Sequence, residues 1–223
     1  DAKIENYGNG WYRCSCKYTA TTTSTRNYGF YLDDTSKQGV HIWGAQVEEQ
    51  SYATSYIPTS GTTVTRSKDA ALNSGSSDLI NSTEGVLYFE IAALENPQTD
   101  GNRFISLSDG SNNNTVAFSF RTAANKIQLL LKSGGSNEAS LSHTASFDIL
   151  NFFKVALKYK LNDVAFWVNG TEIATDTSAT MPIGLNRLDL TKGGQASEIF
   201  AKVKCVAVFK EALTDAELTC LTT

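Results

Sequence analysis

The sequence predicts an all-β protein: an antiparallel β-sandwich with a smaller N-terminal β unit and one short C-terminal helix. Three observations predict it. Apolar and polar residues alternate with period two in several short runs, an Asn-Gly pair joins two of them, and the joints are polar and rich in Gly and Asn. Strands at such spacing argue for packed antiparallel sheets rather than β-α-β units.

The alternation is clearest in "FKVALKYK", where Phe153, Val155, Leu157 and Tyr159 alternate with Lys154, Ala156, Lys158 and Lys160. Successive side chains of a strand face opposite ways, so the three lysines are expected on one solvated face. Next, "VAFWVNGTEIA" carries Asn169-Gly170, residue types that accept the positive φ a type I′ turn needs at both central positions. Further strands read as "GVLYFEIAAL", "RFISLSD", "TVAFSF", "KIQLLLK" and "AKVKCVAVF". The joints read as "NPQTDGN", "SDGSNNN", "SGGSNE" and "TKGGQAS". In "LTDAELTCL", Thr214 is placed as a helix N-cap with Glu217 three residues on, a capping box, and Asp215 suits the positive helix end.

Ser, Thr, Gly and Asn dominate residues 60–84 until apolar alternation resumes at Val86. The expected organisation is an N-terminal β unit over residues 1–66, a linker or long joint over 67–84, and the sandwich over 85–223. A unit as small as the first buries little surface. The chain is read as a mature or excised fragment, with that unit's missing strands upstream, in a neighbouring subunit or on the second domain.

The 19 Lys and Arg are scattered and the net charge is −4, which argues against a nucleic-acid partner. No apolar run approaches the ~20 residues that span a bilayer, so no membrane insertion is expected. The four cysteines form no framework. Cys14 and Cys16 lie two apart on a strand, Cys205 falls on an apolar strand face and Cys220 in the helix, so buried free thiols are expected. Assembly in a reducing cytoplasm fits that state.

Little in the chain looks like catalysis. Glycoside hydrolysis needs two carboxylates at a defined separation, and Glu84, Glu90 and Glu95 in "EGVLYFEIAALE" make no tight pair. No nucleophile elbow, Walker loop or GxGxxG is present, so no catalytic residue and no cofactor is predicted. Ligand contact is assigned to the loop residues Asp100, Asn102, Asp109, Asn112 and Asn137. The first four also offer oxygens to a Ca2+ ion, although Asp, Asn and Gly are equally turn formers. Of the tryptophans, Trp11 and Trp43 are expected in cores. Trp167 lies opposite the Val164, Phe166 and Val168 face, where it would line a ligand surface, pack under a loop or meet another subunit.

Two segments carry family resemblances. "GNGWYRCS", a Thr-rich stretch and "VHIWGAQVEEQSYATSYIPTSGTTVTR" together resemble, over residues 6–66, a recurrent segment of bacteriophage structural proteins and some secreted bacterial proteins. That segment is the closing half of a carbohydrate-binding-module-like sandwich. The "FWVNGTEI" hairpin and the closing "CVAVFKEALTDAELTCL" resemble the concanavalin A-like lectin/glucanase superfamily, the laminin-G-like jelly roll. Together they imply a phage tail or head fibre that is assembled in the host cytoplasm and acts at the virion surface. Its implied partners are a host-surface glycan or receptor, other virion subunits and further copies of itself, a trimer among the arrangements. Rival readings are a virion decoration or assembly protein that binds no sugar, and an accessory carbohydrate-binding module of a secreted polysaccharide-degrading enzyme.

Overall fold

The structure, a computed structural model, describes residues 2–23, 25, 29, 39–49, 52–67, 74–97, 103–195 and 198–223. They gather into two compact units, Asp1–Lys68 and Asp69–Thr223.

The first unit holds a hairpin of β1 (Ala2–Gly8) and β2 (Trp11–Cys16), followed by extended chain over residues 39–67. Its interior is polar. Arg13 donates to the Thr54 carbonyl, Gln46 Nε2 to Glu48 Oε1 at 2.7 Å, and the Ile57 backbone N–H to Gln46 Oε1 at 2.8 Å. Gln46 and Glu48 therefore face inward, and Trp43, Ala45 and Val47 face solvent, the reverse of the expected alternation. Trp43 is 71% exposed and Trp11 50%, so neither closes a core. The Trp43 ring instead rests on Tyr56 at 4.6 Å.

The second unit is the expected all-β sandwich. One sheet has the order β10 (Thr171–Asp176), β9 (Val164–Val168), β8 (Phe153–Lys160), β3 (Glu84–Ala93), β12 (Ala201–Phe209). The other runs β11 (Arg187–Asp189), β4 (Arg103–Ser108), β5 (Thr115–Phe120), β6 (Lys126–Ser133), β7 (Ser136–Thr144). Every neighbouring pair is antiparallel. The core between the sheets takes one parity of each strand: Leu87, Phe89 and Ile91 of β3 meet Val116, Phe118 and Phe120 of β5. Phe118 touches Phe89, Phe120 and Phe166 at centroid distances of 5.7, 5.1 and 6.4 Å.

Asn169 and Gly170 turn β9 into β10 with φ of 46° and 78°, the type I′ signature expected. The stretch "SGGSNE", read as a joint, is instead a tight turn at Gly134-Gly135, where Ser133 pairs with Ser136 and β7 begins. The alternation of β7 is mostly Ser and Thr outside, which hid it from the sequence pattern. Residues 74–84, expected as a linker or long joint, pack onto the sandwich. Ile80 is in its core, Ser74 bridges Leu188, and the Asn81 carbonyl accepts from Tyr159 Oη at 2.7 Å.

Helix α1 (Asp215–Thr222) forms as expected, with the Thr214–Glu217 capping box complete. Leu218 is wholly buried on the outer face of the first sheet among Val86, Tyr88, Ala156, Ala165 and Trp167. This docking overturns the solvated face expected of the lysines. Lys158 is 8% exposed beneath the helix, and its Nζ pairs with Asp163 at 2.8 Å and Asp215 at 3.7 Å. The cysteines depart as well, since all four are free thiols but exposed.

Candidate functional site

One sheet is sealed on its outer side by α1; the outer side of the other is polar. Its strands present the residues that alternate with core positions: Phe104, Ser106 and Ser108 from β4, Thr115, Ala117 and Ser119 from β5, Gln128, Leu130 and Lys132 from β6, and Ser140 and Ser142 from β7. Cross-strand pairing sets Lys132 opposite Thr115, Gln128 opposite Ser119, and Phe104 opposite Ser119 on the other side. Gln128 Nε2 donates to Ser140 Oγ at 2.8 Å.

Residues 190–195 cross the β4 side of this face as a strap. Ser106 Oγ donates to the Thr191 carbonyl at 2.7 Å and accepts from the Gly193 N–H at 3.1 Å. Lys192 then places its Nζ 4.9 Å over the Phe104 ring. Burial lowers the Lys192 pKa below the ordinary lysine value, and the positive charges of Lys132 and Arg121 lower it further. Among the described residues, neither Lys132 nor Lys192 forms an ion pair with a carboxylate. The hydroxyls of Thr115 and Ser119 on the same face are buried and make no hydrogen bond within the structure.

The loop candidates from the sequence divide. Asp109 and Asn112 lie in the β4–β5 loop, which reaches the β6–β7 turn through the bond from the Gly135 N–H to the Asn113 carbonyl at 2.9 Å. Asn137 begins β7 beside that turn, opposite Lys132, and is exposed. Asp109 is fully engaged as a turn former. Oδ1 accepts from the Ser111 N–H at 2.8 Å and its hydroxyl at 2.7 Å, and Oδ2 accepts from Asn114 Nδ2 at 2.8 Å. Asn112 Oδ1 is buried without a partner. Asp100 and Asn102 lie outside the described residues. Among the described residues no three His, Cys, Asp or Glu side chains converge as a metal site.

Trp167 is a correction. It does face away from the inter-sheet core, as the alternation required, but α1 covers it and leaves it 5% exposed. An indole under a helix offers no stacking face to a sugar. The residues that sequence reasoning missed are Lys132, Lys192, Arg121, Thr115 and Ser119. The period-two pattern of "TVAFSF" was the only available signal, since it sets Thr and Ser outward.

Burial pushes the Asp109 carboxyl up, but its three side-chain and backbone bonds outweigh that and hold it below the ordinary Asp value. A depressed folded pKa adds stability above the unfolded value, which is lost as pH falls through the folded one. Asp109→Asn is therefore expected to lower stability at neutral pH and flatten the acid limb of a Tm-against-pH curve. A limb of unchanged slope would show that other carboxylates set it.

Two five-stranded antiparallel sheets, one outer face helix-covered and the other polar, define a jelly-roll sandwich of the lectin type. Residues 66–219 match the Concanavalin A-like lectin/glucanases superfamily, and the chain belongs to it. No curated protein matches the chain. Similar solved structures include a leech intramolecular trans-sialidase, with 21% identity and a TM-score of 0.50 over 64% of this chain and 23% of that one. The NanB sialidase of Streptococcus pneumoniae shows 16% identity and a TM-score of 0.52 over 65% of this chain and 25% of that one. Domain 4 of AbnA, an extracellular GH43 arabinanase of Geobacillus stearothermophilus solved with arabinotriose, shows 12% identity and a TM-score of 0.51 over 65% and 69%. At these identities the likeness is one of fold. The chain spans a quarter or less of either sialidase chain.

Proposed function

We propose that the chain is a non-catalytic glycan-binding protein of a bacteriophage virion appendage, a tail or head fibre, that docks host-surface carbohydrate or receptor. The observation that carries the binding half of this reading is the outer face of the second sheet. Its Ser, Thr, Gln and Lys side chains form a polar floor suited to saccharide hydroxyls, where the other sheet is sealed by a helix. Membership of a lectin/glucanase superfamily supports it, as does the arabinotriose held by the AbnA domain of similar fold. The strand carboxylates support binding without turnover: Glu84 pairs with Lys160 at 3.2 Å and Glu90 with Lys204 at 2.6 Å, so neither is free for acid–base work.

The virion setting is supported by the resemblance of residues 6–66 to phage structural segments. In that setting other virion subunits and further copies, as in a trimer, multiply weak sites into firm attachment. A second reading, an accessory module of a secreted polysaccharide-degrading enzyme, is favoured by the two sialidase chains, of which this fold matches one part.

A glycan array of envelope and plant polysaccharides, probed with the folded chain, tests the binding half. Immunogold microscopy of phage particles tests the setting. Binding to at least one envelope glycan together with label on the appendage is expected. Glycan binding without virion label would transfer the chain to the enzyme-module reading, and no binding to any glycan would overturn both.

A further inference from the structure

Lys132, Lys192 and Arg121 come from three separate stretches of chain and converge over one sheet face. We propose that they form an anion subsite in which the outer face of β5 and β6 takes an acidic saccharide, one bearing a carboxylate or a sulfate. This rests on the glycan-binding reading above and assigns the ligand's charge and place.

The register sets the geometry. Thr115, Ala117 and Ser119 point outward along β5, with Lys132 beside Thr115 and Gln128 beside Ser119. Phe104 flanks Ser119 on the β4 side and carries the Lys192 ammonium over its ring at 4.9 Å. Arg121 follows β5 with its N–H bonded to the Lys126 carbonyl at 2.9 Å. The strap that brings Lys192 here is anchored on Ser106 of the same face.

Two independent observations ask for an anion carrying oxygen atoms. The first is the uncompensated charge. Lys158, Lys160, Lys204 and Arg187 each meet a carboxylate in the second unit, whereas Lys132 and Lys192 meet none among the described residues. The Lys192 ammonium is partly desolvated and repelled by its two neighbours, and a bound anion reverses that repulsion. The second is the pair of orphan hydroxyls. Thr115 Oγ1 and Ser119 Oγ are wholly buried, point away from the core and lack a partner. A buried hydroxyl is ordinarily hydrogen-bonded, and saccharide oxygens are both donors and acceptors. Glu198, bridged to Phe104 through its backbone, is the carboxylate of the same strap, and an acidic ligand would seat away from it toward β6.

The test is titration calorimetry of the full chain with an oligogalacturonate, a heparin-derived hexasaccharide, 3′-sialyllactose and neutral maltohexaose. At least one acidic probe is expected to bind, more weakly at higher ionic strength. Lys132→Gln/Lys192→Gln is expected to weaken that probe by about tenfold or more, with Lys192→Arg retaining it. Which acidic probe binds separates sulfate from carboxylate. Unchanged acidic binding in the double variant, with an unchanged Tm, overturns the subsite. Binding of maltohexaose alone overturns the subsite and leaves the glycan-binding reading standing; silence from all four probes overturns the subsite and returns the broader reading to the array.

Discussion

Trp167→Ala is expected to cost ~3–5 kcal/mol of folding stability, the range for truncating a large buried aromatic. The indole lies on the outer face of the helix-side sheet with Val86, Tyr88, Ala156 and Ala165, and Leu218 of α1 closes over them. Removing it empties the space that holds the helix down. The loss should also reach Lys158, whose second carboxylate, Asp215, opens that helix. Urea denaturation measures the loss, and hydrogen exchange at residues 218–222 should accelerate with it. Trp43→Ala is the contrast. That ring is exposed and rests only on Tyr56, so its loss removes at most an aromatic pair, about 0.5–1.5 kcal/mol. Equal effects at the two positions would contradict the placement of both side chains.

Gly193→Ala carries the second large effect, because two penalties coincide. The residue has φ of +58°, the left-handed region. A Cβ there would also lie 2.1 Å from the Ser111 carbonyl oxygen and 2.9 Å from the Asn112 nitrogen. Both are backbone atoms, so the strap must lift or the β4–β5 loop must shift. Left-handed strain adds ~1–2 kcal/mol and overpacking ~1–3 kcal/mol. Gly194→Ala shares the positive φ of +75°, but its Cβ would meet the end of the Arg187 guanidinium at 2.2 Å, a group that can swing aside. The expected order is therefore Gly193→Ala well below Gly194→Ala, both below the parent chain, in denaturant midpoint. Because Gly193 tethers the strap to Ser106, the first variant is also expected to displace Lys192 and weaken acidic probes. Full affinity in a lifted strap would remove Lys192 from the site.

The contrast between the tryptophans also marks how far sequence reading reaches. The alternation of Val164, Phe166 and Val168 correctly turned Trp167 away from the core. Nothing local showed that a helix some fifty positions on would land upon it. At Trp43 the same period-two logic chose the wrong face, because the interior of the small unit is a network of Gln46, Glu48, Thr54 and Arg13. A hydrophobic pattern reports burial only where the neighbour is apolar.

By itself the sequence determined the fold class, most strand positions, the Asn169-Gly170 turn and the capped helix. Each of these depends on residues within a few positions of one another, where backbone preference and side-chain parity act directly. Only the tertiary structure decided which outer face was sealed, which lysine was buried and which three cations met. Residues 121, 132 and 192 share no local pattern. Strand register and a strap anchored on one serine bring them together, so their joint field is a property of the packed sheet and of no segment alone.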